Sequence, residues 1–209
     1  MPRAVKTAPN IFEGLLYKSG FSPVIGVDEA GRGPLVGPVV ACALILPKEL
    51  VIEGVTDSKK LSPLKRGQLA AEIKTAAIAY AFGIVHAAEI DRINILQATM
   101  LAMGQAIDGV LNETKQAVAL IDGTTAPLCG CPTISIVKGD FFSHLIGAAS
   151  ILAKVERDTM METMHKQYPE YGFDQHKGYG TVAHKHAIEK YGLCPEHRRS
   201  FCRKVNHQL

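Results

Sequence analysis

The sequence predicts an α/β protein with one five-stranded sheet and a mostly helical C-terminal part. Three observations predict it. Five short apolar, β-branched runs are interleaved with segments of helical periodicity. No repeat, low-complexity tract or long linker divides the 209 residues, a length that suits one full-sized core. Apolar residues make up 47% and charged residues 21%, as in globular chains and unlike disordered or fibrous ones.

Residues 1–20 are mixed in character and read as a loose arm or a short helix. Val24–Asp28 is the first strand and Val36–Leu46 the second, joined through the turn-rich Gly31-Arg32-Gly33-Pro34. Ser62 followed by Pro63 is an N-cap with proline at the first helical position, opening a helix towards Ala77. Tyr80–His86 is a third strand. From Ile90 to Leu111 one helix is expected, because Ile93, Leu96, Met100, Met103, Ile107 and Val110 recur at spacings of three and four. Ala117–Asp122 and Thr133–Val137 are the fourth and fifth strands. A helix from Ser143 to about Met164 follows, with small Ala148, Ala149 and Ala153 on it. Lys154 and Asp158 form an i,i+4 pair that reads as structural. Past Tyr168-Pro169 the chain loops, then becomes helical again over Val182–Tyr191.

The formal charge is +3, from 23 basic and 20 acidic residues, and is unevenly placed. Residues 174–209 carry +4, leaving the other 173 at −1, so any phosphate-binding surface must be local, and the basic character belongs to the C-terminal end. The longest uncharged apolar stretch, Gly33–Pro47, has 15 residues and three prolines, too short for a membrane span. Arg3, Lys6, Glu13 and Lys18 interrupt any signal-like segment, and five cysteines without paired spacing point to a reducing cytoplasm. Cys129-Gly-Cys131 lacks the spacing of a structural zinc site.

Chemistry is suggested by carboxylates at strand ends, where α/β sheets present ligands. Asp28-Glu29 close the first strand, Asp122 the fourth, and Asp140 follows the fifth. If those strands are neighbours, four acids converge, and their repulsion would be relieved by divalent cations. Hard oxygen ligands suit Mg²⁺ or Mn²⁺, and two such ions about 4 Å apart can drive phosphodiester hydrolysis. The alternative is that these acids serve turns or helix caps, Asp140 especially. Asp28 and Glu29 would share a site only if the strand bends or ends there, since adjacent strand residues face opposite sides.

Gly31-Arg32-Gly33 misses the dinucleotide fingerprint, because Val36 stands where the third glycine belongs. Two readings of it stand open: a tight hairpin turn, or exposed backbone that bonds a ribose hydroxyl while Arg32 meets a phosphate. Lys59 and Lys60 suit a phosphate backbone or simple solvation. Tyr179, set among His176, Lys177, Gly178 and Gly180, suits either sugar stacking or burial in a turn.

Together these segments resemble ribonuclease HII. The resemblance is carried by Gly26-Val27-Asp28-Glu29-Ala30-Gly31-Arg32-Gly33-Pro34, Asp57-Ser58-Lys59-Lys60-Leu61-Ser62, Asn94-Ile95-Leu96-Gln97-Ala98-Thr99-Met100, Ile121-Asp122-Gly123 and Val137-Lys138-Gly139-Asp140. It continues through Ala149-Ser150-Ile151-Leu152-Ala153-Lys154-Val155, Tyr171-Gly172-Phe173, His176-Lys177-Gly178-Tyr179-Gly180-Thr181 and His197-Arg198-Arg199-Ser200-Phe201. The resemblance implies a ribonuclease H-like fold with a mixed central sheet. The catalytic core would span residues 21–165, and a basic, mainly helical substrate-binding portion, packed on it as one structural domain, residues 166–209. It implies cleavage of RNA in RNA–DNA hybrids and 5′ of ribonucleotides embedded in duplex DNA, leaving 3′-hydroxyl and 5′-phosphate ends. Asp28, Glu29, Asp122 and Asp140 would hold Mn²⁺ or Mg²⁺. Gly31-Arg32-Gly33 would sense the 2′-hydroxyl, with Lys59 and Lys60 on the substrate, and Tyr179 would stack on the sugar past the scissile phosphate. Thr124-Thr125 and Phe141-Phe142 depart from the usual pattern near two of the acids. A monomer without a membrane is expected, and no protein partner is indicated. Ribonuclease HIII, the related alternative, usually carries a large N-terminal domain where only about twenty residues precede the first strand here.

Overall fold

The structure, a computed structural model, describes residues 9–111 and 117–206. Residues 1–8 of the predicted arm lie outside the described residues. The arm's remainder forms helix α1 (Ile11–Lys18). Strands β1 (Val24–Ala30) and β2 (Val39–Ile45) follow. The second strand begins three residues later than predicted, because Gly37 takes φ +82° ahead of Pro38 and Val36 instead bridges His197. Helix α2 (Pro63–Ala76) opens as the sequence indicated, with Ser62 Oγ accepting the Lys65 N–H, and β3 (Ala79–Val85) returns antiparallel to β2.

The predicted single helix over Ile90–Leu111 is instead two, α3 (Ala87–Ile93) and α4 (Ile95–Val110). Asn94 between them adopts φ 69° and caps α4, its Oδ1 accepting the N–H groups of Leu96 and Gln97. Across the break most of the predicted stripe still faces the core, with Met103, Ile107 and Val110 buried and Ile93 and Met100 packed against them. Leu96 turns outward, and Ala98, Ala102, Met103, Ala106 and Ile107 face the sheet. Small residues are needed because α4 lies directly on β3: a Cβ on Gly83 would sit 1.9 Å from the Ala102 carbonyl oxygen.

Strands β4 (Val118–Asp122) and β5 (Thr133–Ile136) complete the sheet, whose order is β3-β2-β1-β4-β5. β1, β2 and β3 pair antiparallel, whereas β1, β4 and β5 pair parallel, so the sheet is mixed. A short α5 (Gly139–Phe142) leads into the long α6 (His144–Gln167), capped by Ser143 Oγ. Alternation splits the core. Val24, Val118 and Leu120 pack with α2 and α6 on one face, while Ile25, Val27, Ala119 and Ile121 pack with α4 on the other. Each fully buried aliphatic side chain there contributes about 1.5–3 kcal/mol.

Beyond α6 come α7 (Phe173–His176), α8 (Val182–Tyr191) and α9 (Arg199–Asn206). Tyr171, Phe173, Ile188 and Cys194 form a third apolar cluster with Val36 and with Met161 and Met164 of α6, which ties this segment to the core. Among the described residues no helix is long and apolar enough to cross a membrane.

Candidate active site

β1 and β4 are neighbours, and their last paired residues are Val27 and Ile121. One register step further stand Asp28 and Asp122, on strands about 4.8 Å apart. Alternation places both on the α6 side, where the Ser150 hydroxyl bonds the Asp28 carboxylate. The Ser150 hydroxyl also lies 3.0 Å from that of Ser58. β1 neither bends nor ends at Asp28, since its pairing with β2 runs unbroken to Ala30 and Val40. What ends is β4. The flank of β1 beyond Asp122 is therefore left without a paired strand, and Glu29 joins the site from there, close enough to Asp122 to feel its charge. The expectation that β1 itself must distort is corrected on this point.

Asp140 lies within α5, and the cap of α6 is Ser143, so the helix-cap explanation does not describe it. The glycine before it donates its N–H to Asp122 Oδ1 at 2.6 Å, which ties the fourth acid to the third. All four carboxyls titrate above their ordinary range. Burial dominates at Asp28, followed by the charges of Glu29 and Asp122. At Glu29 burial outweighs the relief from Arg32, whose Nη1 is 3.4 Å from Oε1. Burial also raises Asp122, against the opposing Gly139 N–H and Lys59. Asp140 is pushed up to about 6 by burial, then by Asp122 and Asp57. Asp57, which the sequence reading did not count among the acids, is buried, accepts the Lys59 N–H at 2.9 Å and adds its charge to those facing Asp122 and Asp140.

Among the described residues, no three His, Cys, Asp or Glu side chains already close around a common point. One oxygen of Asp28 is engaged by the Glu29 N–H, one of Asp122 by Gly139 and one of Glu29 by Arg32. The donor chemistry nonetheless fits a hard divalent cation: four carboxylates that burial and mutual repulsion hold short of positive charge.

A cleft of about 400 Å³ opens beside the acids. Glu29, Gly31, Arg32, Gly33, Lys59 and Tyr179 line it, together with Ser58, Ser150, Lys154 and Arg157. Lys60 is not in that lining, and its ammonium lies 4.0 Å from the centre of the Phe141 ring. Asp158 bridges Lys154 at 2.5 Å and Arg66 at 3.3 Å, as its structural reading expected. The Tyr179 ring is 47% exposed and stands beside Gly33.

Three histidines fix the Tyr179 backbone. The Cys194 N–H donates to His197 Nδ1 at 3.0 Å, which leaves the His197 proton on Nε2. That Nε2–H faces His184 Nε2 at 3.1 Å, so His184 carries its proton on Nδ1 and donates it to the Tyr179 carbonyl at 2.9 Å. His176 stacks on His184, accepts the Gly178 N–H and donates to the Tyr171 carbonyl. Burial pushes His184 and His197 each down to about 4, so that pair is neutral at physiological pH.

Two arginines absent from the predicted site hold the Gly31–Pro38 loop. Arg157 of α6 donates to the carbonyls of Pro38, Lys177 and Val36. Arg198 donates to those of Gly31, Arg32, Pro34 and Gly37. Gly31 has φ +100°, and a Cβ there would lie 2.2 Å from Arg157 Nε, so only glycine fits. The signal for both arginines is absent from local spacing, because their partners in the loop are more than a hundred residues away.

A family model described as Ribonuclease HII matches residues 25–204. Ribonuclease HII of Caldanaerobacter subterraneus subsp. tengcongensis is 53% identical over 194 residues, covering 93% of this chain and 80% of that one. Ribonuclease HII of Vibrio vulnificus is 51% identical over 185 residues, 88% of each chain. The crystal structure of ribonuclease H2 from Pyrococcus horikoshii aligns with a TM-score of 0.71 at 28% identity, over 88% of this chain and 97% of that one.

Proposed function

The chain belongs to the ribonuclease HII family, and from that premise we propose that it cuts on the 5′ side of ribonucleotides, both in RNA–DNA hybrids and singly embedded in duplex DNA. The products are 3′-hydroxyl and 5′-phosphate ends. The observation that most supports this is the juxtaposition of Asp28 and Asp122 on adjoining strands, each within reach of the other's charge and beside a cleft lined by Gly31–Gly33.

Asp28, Glu29, Asp122 and Asp140 are the residues that would hold Mg²⁺ or Mn²⁺. Two such cations supply activation of water and neutralisation of charge on the leaving oxygen. The chain's own groups do the positioning. Arg32 and Lys59 present positive charge to the phosphates along the cleft. The exposed Tyr179 ring offers a flat face to the sugar beyond the cut, and its histidine-held backbone keeps that face in register with Gly33. Lys60 is left a lesser part, since its charge is shared with Phe141.

A labelled duplex with one ribonucleotide tests the reading. Incision 5′ of the ribonucleotide is expected with Mg²⁺ or Mn²⁺, none with EDTA, and none from Asp28→Asn or Asp122→Asn proteins that retain native circular dichroism. Undiminished cleavage by either variant would reject the assignment of the acids.

A further inference from the structure

Arg198 is fully buried, yet among the described residues no carboxylate lies within ion-pair distance of it. Its guanidinium is instead satisfied by four backbone carbonyls of one loop. Nη2 reaches Gly31 O and Gly37 O at 2.7 Å each, and Nη1 reaches Arg32 O at 3.1 Å and Pro34 O at 2.8 Å. Nε donates to Gly37 O at 2.9 Å. Five donors in a rigid planar fork gather this many carbonyls as no other side chain does.

The consequence lies on the opposite edge of each peptide. A trans peptide is planar, with its C=O and N–H antiparallel. Holding the Gly31 carbonyl inward turns the Arg32 N–H outward, and holding the Arg32 carbonyl inward does the same to the Gly33 N–H. Gly37 precedes a proline and contributes no N–H, and the Leu35 N–H, paired with the Pro34 carbonyl, is taken by Gly178 O at 2.9 Å. Two donors therefore remain. Among the described residues neither finds an acceptor, and both belong to residues that line the cleft beside Glu29.

We propose that Arg198 is a positioning residue that aims the N–H groups of Arg32 and Gly33 into the cleft as a preformed pair of donors for a ribonucleotide's 2′-oxygen. It touches no substrate itself. A preformed pair avoids the entropy of ordering a glycine-rich loop at the moment of binding. The inference rests on the substrate reading above and adds to it the residue that makes the loop selective.

The test separates the two. On an Asp122→Asn background in Mg²⁺, so that the duplex stays whole, affinity is measured for two duplexes differing by a single ribonucleotide. Arg198→Lys keeps the charge and loses the fork. It is expected to lower the preference for the ribonucleotide-containing duplex about tenfold, the worth of one well-made hydrogen bond, while affinity for all-DNA duplex stays within twofold. An unchanged preference, or equal loss for both duplexes, would overturn the role of Arg198. A parent protein without any preference would instead sink the substrate reading. Should Arg198→Lys fail to fold, the parent protein decides: amide exchange at Arg32 and Gly33 is expected to slow with the ribonucleotide-containing duplex and not with all-DNA duplex. Equal exchange in the two complexes would refute the proposal.

Discussion

Replacing Asp140 with asparagine should make the metal-free protein more stable, by an amount that depends on pH. In the folded protein the Asp140 carboxyl is pushed from its ordinary 3.8 up to about 6, by burial and then by Asp122 and Asp57. Between those two values the folded state binds more protons than the unfolded one, so stability falls as pH rises. Below 3.8 both states are protonated and nothing is lost; above 6 the full penalty is present. Two pH units correspond to about 3 kcal/mol. Solvent screens part of this, and about 1–2 kcal/mol is the expected gain for Asp140→Asn at pH 7.5. Urea denaturation of both proteins in EDTA, at pH 4 and pH 7.5, measures it. The difference between them should grow across that interval and level off above about pH 6.5. Any fixed cost of the asparagine cancels in that comparison. Mg²⁺ should then stabilise the parent protein more than the variant, because the native state alone presents the gathered acids. A difference independent of pH would refute the claim that the acids strain one another.

Gly31→Ala should cost about 3 kcal/mol or more, because it combines a φ of +100° with a Cβ 2.2 Å from Arg157 Nε; unaltered denaturation would show that the loop does not hold that backbone. Glu13→Ala removes the acceptor for the Ser143 hydroxyl and the Leu145 N–H at the start of α6, and should cost about 2–3 kcal/mol in thermal unfolding, with Glu13→Gln recovering much of it. Nitrogen-15 spectra at pH 7 should show His184 protonated at Nδ1 and His197 at Nε2, and the opposite tautomers would break the proposed series. Both imidazoles titrate near 4, below their ordinary 6.5, so the folded state binds fewer protons over that range. The contribution of this pair to stability should therefore be level above 6.5 and decline as pH falls towards 4.

What the sequence revealed was whatever is encoded at short range. Short apolar, β-branched runs marked all five strands within a few residues, and Ser62-Pro63 marked the start of α2. The acids were visible because each follows such a run. The break at Asn94 was hidden, since Ile93 and Ile95 continue an apolar pattern across it and a capping asparagine leaves no periodic trace. Most of the predicted stripe does face the core, Met103, Ile107 and Val110 buried with Ile93 and Met100 packed beside them; what it missed are the alanines that contact with Gly83 selects, and Leu96 turns outward. Asp57, Ser150, Arg157 and Arg198 owe their places to contacts across the whole chain, and no local pattern distinguishes a buried arginine from a solvated one.

The grip of Arg198 on a loop 161 to 167 residues earlier in the chain has a consequence for biosynthesis. All five strands emerge from the ribosome well before that arginine does. A nascent protein can thus assemble its sheet and bring its acids together while the selective turn is still slack. On the proposed reading, a product halted short of Arg198 would present the gathered acids while the turn beside them lacked the fork that holds it.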